Sequence, residues 1–179
     1  MQLIPEFSFE LNNTWQFTLP YFILSIGFLF LIPKHNISKF VQVPKIKLIT
    51  EINYILYYGF LFASIFIPLQ TELIIFYIGI VLFVIGIIFY SASIFYFSIS
   101  EYNKPVTEKV YKISRHPVYL SFFIIGIAIS MAGASLFLLI IVILHFISTI
   151  FIIKEEEKNC IASYGEEYKN YMKKVRMII

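Results

Sequence analysis

Long apolar stretches separated by short polar ones dominate this chain of 179 residues. Five stretches approach the roughly 20 residues that a helix needs to cross a hydrocarbon core of about 30 Å. They lie near 17–32, 52–67, 73–97, 117–131 and 136–153. Only 132–135 separates the last two, which is room for a tight turn, so we expect a helical hairpin there. The pattern predicts an all-α integral membrane protein with about five transmembrane helices and a cytoplasmic, helical C-terminal segment.

Composition supports a membrane protein. Hydrophobic residues make up 59% of the chain and charged residues 14%, whereas a soluble domain carries about 25% charged residues. The sequence shows no repeat, flexible linker, glycine-rich dinucleotide loop, metal-ligand cluster or nucleophile and base pair, so we expect neither a metal nor a nucleic-acid partner. We interpret 1–179 as one membrane domain, with three spans in 1–97 and a cofactor-binding part in 98–179. The oligomeric state stays open.

Lysine and arginine are confined to alternate polar segments. They lie between the first and second spans, between the third and fourth, and after the fifth. The N-terminal tail, the 70–72 loop and the 132–135 turn contain neither. By the positive-inside rule, this distribution predicts a multi-pass protein with its N-terminus outside and its C-terminus cytoplasmic. Trp15 then lies in the outer aromatic belt.

A cationic cluster comes directly before the predicted hairpin. It consists of Arg115, His116, Pro117 and Tyr119, and Arg115 is one of only two arginines in the chain. Pro117 suits the first turn of a helix, where its missing N–H costs nothing. The N-terminus of that helix attracts anions, and Arg115 and His116 add donors for a carboxylate. The alternative is that both side chains only reach toward lipid headgroups.

An acidic cluster follows the hairpin. Glu156 and Glu157 can accept hydrogen bonds from an ammonium group or from ribose hydroxyls. Adjacent residues of a helix point about 100° apart, so the two carboxylates would do different jobs. The alternative is an ordinary solvated helix surface with local ion pairs. Because one short hairpin joins clusters of opposite sign, we favour a site for a small zwitterionic ligand.

The two clusters together carry a family resemblance. The pattern is Arg-His-Pro-x-Tyr, two hydrophobic helices, and then Glu-Glu followed by Gly-x-x-Tyr-x-x-Tyr. It resembles the isoprenylcysteine carboxyl methyltransferase and phospholipid methyltransferase group of integral membrane enzymes. The resemblance covers 105–176 and rests on these residues: Arg115, His116, Pro117, Tyr119, Glu156, Glu157, Tyr164, Gly165, Tyr168, Tyr171 and Val175.

The resemblance implies a reaction and a methyl donor. It implies S-adenosylmethionine, released as S-adenosylhomocysteine, bound at the cytoplasmic side between the hairpin and the C-terminal segment. In the resulting hypothesis Arg115 and His116, just before Pro117, hold the carboxylate end of this cofactor. Tyr111 and Tyr119 wall the pocket, and Glu156 and Glu157 hold the ammonium or the ribose. The resemblance assigns no catalytic residue.

The acceptor is less well defined by the sequence. Relatives commonly have Gly where this chain has Ser121 and Arg where it has Ile152, and Lys109 stands in a motif that usually reads Gly-Pro-Tyr. We expect a lipid or lipid-modified acceptor, with carboxyl O-methylation slightly favoured over phospholipid N-methylation. An NADPH-dependent reductase of the sterol type and a non-catalytic membrane protein of the same fold are the remaining alternatives.

Two further groups of polar residues lie inside predicted spans. His145 is intramembrane, and we expect it to bond to a neighbouring helix as a packing residue. Near the inner end of the second span, a polar and aromatic stripe is typical of an interfacial belt or of an acceptor entrance. The stripe consists of Asn53, Tyr54, Tyr57 and Tyr58.

Overall fold

The computed structural model describes residues 3, 7–33, 47–101 and 103–178, and this part of the chain is all-helical. It contains five α-helices: α1 (Trp15–Leu31), α2 (Lys47–Ser64), α3 (Ile74–Ser98), α4 (Pro117–Ala132) and α5 (Leu136–Lys174). A short 3₁₀ helix, Lys109–Lys112, precedes α4. Within those ranges β-pairing is limited to one isolated bridge between Asn13 and Pro68.

The five helices lie where the apolar pattern predicts them, with two differences in their bounds. α2 begins at Lys47, earlier than the apolar run, and ends at Ser64, because residues 65–66 form turns ahead of Pro68. α5 continues beyond the predicted end near 153 to Lys174. The added segment is rich in Glu and Lys, which favour helix formation in water. The C-terminal segment is therefore helical, as predicted.

A bend interrupts the long helix α5. Gly165 has φ 56° and ψ −128°, a conformation that is not helical and that residues with a Cβ rarely adopt. The backbone then returns to helical conformation and reaches Lys174. The bend redirects the end of α5, and the residues after it contact the segment before α4.

Two helices of the described chain are long and apolar enough to cross a membrane. These are α3, with 25 residues, and α5, whose apolar window is its most hydrophobic part. α1 and α4 are shorter, with 17 and 16 residues. At about 1.5 Å per residue, α4 rises roughly 24 Å, somewhat less than a hydrocarbon core of about 30 Å. The prediction of five spans is thus supported for two helices and stays a prediction for the others.

The α4–α5 hairpin forms as predicted, through a tight turn. Ala134 takes a positive φ of 45°, and the Ser135 hydroxyl accepts a hydrogen bond from the backbone N–H of Leu138 at the start of α5. The two helices then approach closely at Gly126. A Cβ added there would lie 2.8 Å from Val142 Cγ2, so the small residue permits the contact.

Glycines also bring α3 against α4. A Cβ at Gly79 would lie 2.8 Å from the carbonyl oxygen of Ala128, and one at Gly86 would lie 2.6 Å from Ile125 Cγ1. Ala128 and Ile125 are themselves buried. Close packing of this kind is the usual source of helix association in lipid, where water provides no hydrophobic drive. It fixes α4, and thereby the cationic cluster at its start, relative to α3.

One end of the bundle is closed by the N-terminal segment and the α2–α3 loop. Asn13 donates from Nδ2 to the carbonyl oxygens of Ser8 and Ile65, at 2.6 and 2.8 Å. Thr14 donates its backbone N–H to Ile67 and its hydroxyl to Ser64. The α4–α5 turn lies at this same end, since a Cβ at Gly133 would touch Ile67 and Thr14. Both charged clusters lie at the opposite end, because α5 rises roughly 30 Å from Leu136 to Glu156.

Candidate functional site

The structure brings the cationic and acidic clusters together. Arg115 Nε and Nη2 both lie 2.7 Å from Oε1 of Glu157. Each side chain is only about one-tenth exposed, at 9% and 10%. A buried carboxylate and guanidinium must be paired, because removing either charge from water is costly. This pair joins the segment before α4 to α5 at the polar end of the hairpin.

Arg115 also holds the C-terminal end of the chain. Its Nη1 donates to the carbonyl oxygens of Met172 and Val175, at 3.2 and 2.6 Å. Its backbone N–H donates to the carbonyl oxygen of Arg176 at 3.1 Å. These acceptors are among the last carbonyls of α5 and the residues just after it, which a helix leaves without partners of its own. Arg115 therefore satisfies several groups at once.

Two neighbouring contacts reinforce this attachment. The Ser114 hydroxyl donates to the carbonyl oxygen of Met177 at 3.2 Å. The buried Tyr171 hydroxyl donates to the carbonyl oxygen of Tyr111 at 2.5 Å, and the Tyr111 hydroxyl donates to that of Ser93 in α3. A connected set of hydrogen bonds thus runs from α3 through the 3₁₀ helix to the end of α5.

His116 lies between the two glutamates. Its Nε2 is 3.3 Å from Glu157 Oε1, and its Nδ1 is 3.7 Å from Glu156 Oε2. Its backbone N–H donates to the hydroxyl of the buried Ser114, which fixes the main chain at this position. The imidazole ring is therefore held beside both carboxylates at the start of α4.

Glu156 is the more accessible carboxylate of the two. Its Oε1 accepts a hydrogen bond of 2.5 Å from the hydroxyl of Tyr119 in α4. Its side chain is 25% exposed, against 10% for Glu157. Glu156 and Glu157 therefore differ in role, as the angle between adjacent helical residues predicts. Glu157 is committed to Arg115, whereas Glu156 can reach a further partner.

The two carboxyl groups also titrate differently. Burial raises the pKa of Glu156 above its ordinary value. The hydrogen bond from Tyr119 and the nearby His116 act to lower this pKa, but the effect of burial is larger. Burial acts in the same direction on Glu157, but the hydrogen bonds and charges of His116 and Arg115 outweigh it. They hold the pKa of Glu157 below its ordinary value. At neutral pH Glu157 is a firmly ionised partner of Arg115.

The start of α4 faces the cluster with backbone donors. Pro117 occupies the first turn, as predicted, and His116 precedes it as N-cap without a side-chain capping hydrogen bond. The first N–H groups of a helix have no intrahelical acceptors and carry the positive end of its dipole. Next to Glu156, this helix end gives the site both a positive and a negative side.

The predicted site residues thus occupy one region, and their contacts differ in kind. Arg115, His116, Tyr119, Glu156 and Glu157 contact one another directly. Pro117 is buried at the helix start. Tyr111, also buried, bonds to Ser93 and Tyr171. Contact of these seven residues with a cofactor stays a prediction. In the described part of the chain, no group of three His, Cys, Asp or Glu side chains is placed to hold a metal ion.

A second polar cluster lies inside the bundle between α2 and α5. Asn53 Nδ2 lies 2.8 Å from the hydroxyls of both Ser148 and Thr149, and 3.3 Å from the carbonyl oxygen of His145. His145 thus bonds to a neighbouring helix through its backbone, while its ring packs at 4.6 Å from that of Phe122. Together with its burial, this supports the packing role expected for His145. The sequence alone does not show that Asn53 is the partner.

The buried pair predicts a test of stability. Replacing Arg115 by Met leaves Glu157 buried without its cation, and we expect a loss of about 3–5 kcal/mol in the free energy of unfolding. Hydrogen exchange should also rise in residues 171–178. The matched control is Glu166→Gln, which breaks an exposed pair with Lys169 and should cost less than about 1 kcal/mol. Denaturant titration in detergent measures the free energy of unfolding of both variants. Equal losses would contradict the attachment of the C-terminal segment by Arg115.

The pH dependence of the same attachment has a definite sign. Because the pKa of Glu157 is lowered in the folded protein, its contribution to stability is present above the ordinary glutamate pKa, near 4.3. It is lost only as the pH falls through the lower pKa of the folded state. In the wild type, hydrogen-exchange protection of 171–178 should therefore be kept at the ordinary glutamate pKa and be lost only at lower pH. In Arg115→Met, protection of this segment should not depend on the protonation of Glu157.

One comparison with known proteins identifies a family for this chain. The model of the isoprenylcysteine carboxyl methyltransferase (ICMT) family matches residues 72–162, just over half of the chain. The match runs from the start of α3 through the whole hairpin to Glu156 and Glu157, and ends before Gly165. A comparison with curated proteins returned no match. The chain belongs to the isoprenylcysteine carboxyl methyltransferase family, whose membership implies a membrane methyltransferase.

Proposed function

We propose that the protein transfers a methyl group from S-adenosylmethionine to a lipidic or prenylated acceptor at the cytoplasmic membrane face. The observation that carries this proposal is the partly exposed Glu156 beside the start of α4, which has no side-chain cap, at the polar end of the hairpin. Family membership supports the reaction class. The methyl donor follows from the general use of S-adenosylmethionine by enzymes that the chain resembles.

The donor set of the cluster fits this cofactor. S-adenosylmethionine carries an ammonium and a sulfonium, which are positive, together with a carboxylate and ribose hydroxyls. Glu156 offers a carboxylate oxygen on its accessible side, beyond its hydrogen bond with Tyr119. The first N–H groups of α4 and the His116 ring offer donors for a carboxylate. In this proposal the site offers an acceptor for the ammonium of the zwitterion and donors for its carboxylate.

The contacts divide the site residues into two groups. In the first group, Glu156 binds the ammonium or the ribose, His116 and the start of α4 bind the carboxylate end, and Tyr119 orients Glu156. Bound S-adenosylmethionine supplies an activated methyl group on its sulfonium sulfur. Transfer of that group needs alignment and exclusion of water more than strong acid or base catalysis. Tyr119 and Glu156 are held in place by their mutual hydrogen bond and are partly shielded from water, which suits such alignment.

The second group positions the first. Most N–H groups of the Arg115 side chain donate to Glu157, Met172 and Val175. We therefore assign Arg115 chiefly to holding the C-terminal segment beside the cofactor. Glu157 and Tyr111 act with it through the bonds described above. A direct contact between Arg115 and the carboxylate of the cofactor is compatible with its remaining N–H but takes second place in this scheme.

The acceptor reaches the site from the lipid in this proposal. Tyr54 and Tyr58 on α2 are 55% and 60% exposed toward the surroundings of the bundle, and Asn53 on the same helix binds α5. This polar and aromatic stripe of α2 is our candidate for the acceptor entrance. A prenylated or other lipidic carboxylate is our first choice of acceptor, and a phospholipid amine is the second.

Loop charges support the proposed orientation. With five spans, every Lys and Arg outside the spans falls on the side of the charged clusters. We therefore infer that the C-terminus and the cofactor site face the cytoplasm, and that the N-terminus lies outside.

Binding of S-adenosylhomocysteine is the first test. Glu156→Gln should weaken it by about 1.5–3 kcal/mol, the range for a lost hydrogen bond to a charged group. Glu155→Gln is the matched control, since Glu155 is paired with Lys158 and not with the charged cluster, and this variant should leave the affinity unchanged. Calorimetric titration of purified protein in detergent compares the two, with NADPH titrated in parallel to test the reductase alternative.

The titration of Glu156 adds a second readout to that experiment. Because burial raises its pKa, Glu156 gains a proton at a higher pH than an ordinary glutamate, and the neutral form binds a cation poorly. Affinity should therefore fall at mildly acidic pH in the wild type and stay flatter in Glu156→Gln. Binding of NADPH alone, or an equal loss in Glu155→Gln, would refute the proposed site.

Cysteine labelling tests the orientation. A membrane-impermeant maleimide should modify Cys160 in inverted vesicles but not in intact cells, because the proposed orientation has Cys160 on the cytoplasmic side. A cysteine introduced by Glu72→Cys in a Cys160→Ser background should be modified from the outside only. Modification of both positions from one side contradicts the proposed topology.

The pH dependence of the rate identifies the acceptor class. A carboxylate is already nucleophilic at neutral pH, whereas an amine must first lose a proton with a pKa near 10. With S-adenosylmethionine at saturating concentration, so that titration of Glu156 does not limit binding, we expect single-turnover methylation of a prenylcysteine analogue to change little between about pH 6 and 8.5. Methylation confined to aminophospholipids, with a rate that rises about tenfold per pH unit, would instead assign an N-methyltransferase.

A further inference from the structure

An apolar groove lies at the end of the bundle opposite the charged clusters. It has a volume of about 600 Å³ and runs between α1, α2 and the N-terminal segment. On α1, Trp15, Leu19 and Phe22 line it at the spacing of one helical face. Phe62 of α2 and Ile65, in the turn just after α2, form the facing wall, and Phe9 lies at the rim of the groove.

The walls of the groove present carbon to its interior. The hydroxyl of Thr18 donates to the carbonyl oxygen of Thr14, and that of Ser64 donates to that of Leu61. The indole N–H of Trp15 donates to the carbonyl oxygen of Glu10 at 3.2 Å. The polar groups of these three lining residues thus have partners in the protein. The groove suits an occupant that needs no hydrogen bonds, such as a hydrocarbon chain.

The rim of the groove carries a negative charge. Glu10 is exposed at the rim, and none of the lining residues is a lysine or arginine. Within the described residues, its carboxylate makes no ion pair. Trp15 stands next to it, and the face of an indole ring attracts ammonium groups. An occupant with a cationic ammonium at one end of a hydrocarbon chain complements this combination.

We propose that the groove binds one acyl chain of a membrane phospholipid with a zwitterionic headgroup, whose ammonium lies at Glu10 and Trp15. Its volume lies within the range of about 300–1,000 Å³ that is usual for ligand sites. Exposed apolar walls at a membrane boundary suit lipid, since Leu19 is 45% and Phe62 64% exposed. Tryptophan is typical of this depth in a bilayer.

This lipid site is separate from the proposed methyl-transfer site. α5 places roughly 30 Å between the turn at Leu136 and Glu156. The lining residues belong to α1, to α2 and the turn after it, and to the N-terminal segment, and none is among the residues assigned to the cofactor. Occupancy of the groove is thus expected to leave S-adenosylhomocysteine binding unchanged, and either proposal can fail without the other.

The chain contains its own probe for the groove. Trp15 is the single tryptophan, so bromine on a bound acyl chain quenches a signal that comes from the groove alone. Purified protein in detergent is titrated with phosphatidylcholine brominated in the middle of one chain. Quenching should saturate at one lipid per protein. Quenching that only grows in proportion to the lipid content of the micelles indicates non-specific contact and overturns the proposal.

Two variants serve as controls. In Trp15→Phe with Ile78→Trp, the fluorophore moves to an exposed position on α3 outside the groove, and quenching should be proportional and unsaturated. In Leu19→Phe with Ile65→Phe, added ring volume fills the groove and should abolish saturation. Retained S-adenosylhomocysteine binding and unchanged helical circular dichroism confirm that this variant is folded. If it does not fold, the saturation of the wild type and its loss in the Ile78→Trp protein still decide the question.

The headgroup is tested separately. Brominated phosphatidylglycerol, which is anionic and lacks an ammonium, should require at least several-fold higher concentration than phosphatidylcholine for half-maximal quenching. Glu10→Gln should remove most of this preference while leaving saturation by phosphatidylcholine detectable. Equal half-maximal concentrations for both lipids in the wild type would refute the role of Glu10 and, with it, the zwitterionic occupant.

Discussion

The structure of the charged end of the bundle depends on which groups accept hydrogen bonds from the guanidinium of Arg115. The planar group has donors in a fixed fork, and it uses them on Glu157 and on two carbonyl oxygens near the end of α5. A lysine has a single ammonium and cannot span these acceptors. One side chain thus links the start of α4, the middle of α5 and the C-terminal segment, so the geometry around His116 and Glu156 follows from its placement.

Close packing among the apolar helices makes that linkage possible. Gly79 and Gly86 let α3 pack closely against α4, and Gly126 leaves room on α4 for the side chain of Val142 of α5. Helices held this closely have little freedom to slide or rotate, so the first turn of α4 stays level with Glu156 and Glu157. The small residues of the apolar core and the charged residues at its edge therefore serve the same site, although they share no contact.

Much of this arrangement is readable from the sequence, and the reasons for the remainder are physical. Apolar run lengths give the helix positions, because a hydrocarbon core dictates them. The meeting of Arg115 with Glu157 follows from the short turn between α4 and α5. The carbonyl acceptors at Met172 and Val175 have no sequence signature, since every residue has a carbonyl group. The partnership of Asn53 with Ser148 and Thr149 depends on helix rotation, which hydropathy does not specify.

The bend at Gly165 decides which parts of the chain can meet. A straight helix of the 39 residues in α5 would extend roughly 58 Å, and its last turn would lie well beyond the start of α4. The backbone conformation at Gly165 has a handedness that side-chain-bearing residues disfavour. An achiral residue at this one position therefore lets the last turns of α5 fold back beside the start of α4, where Arg115 binds their carbonyl oxygens.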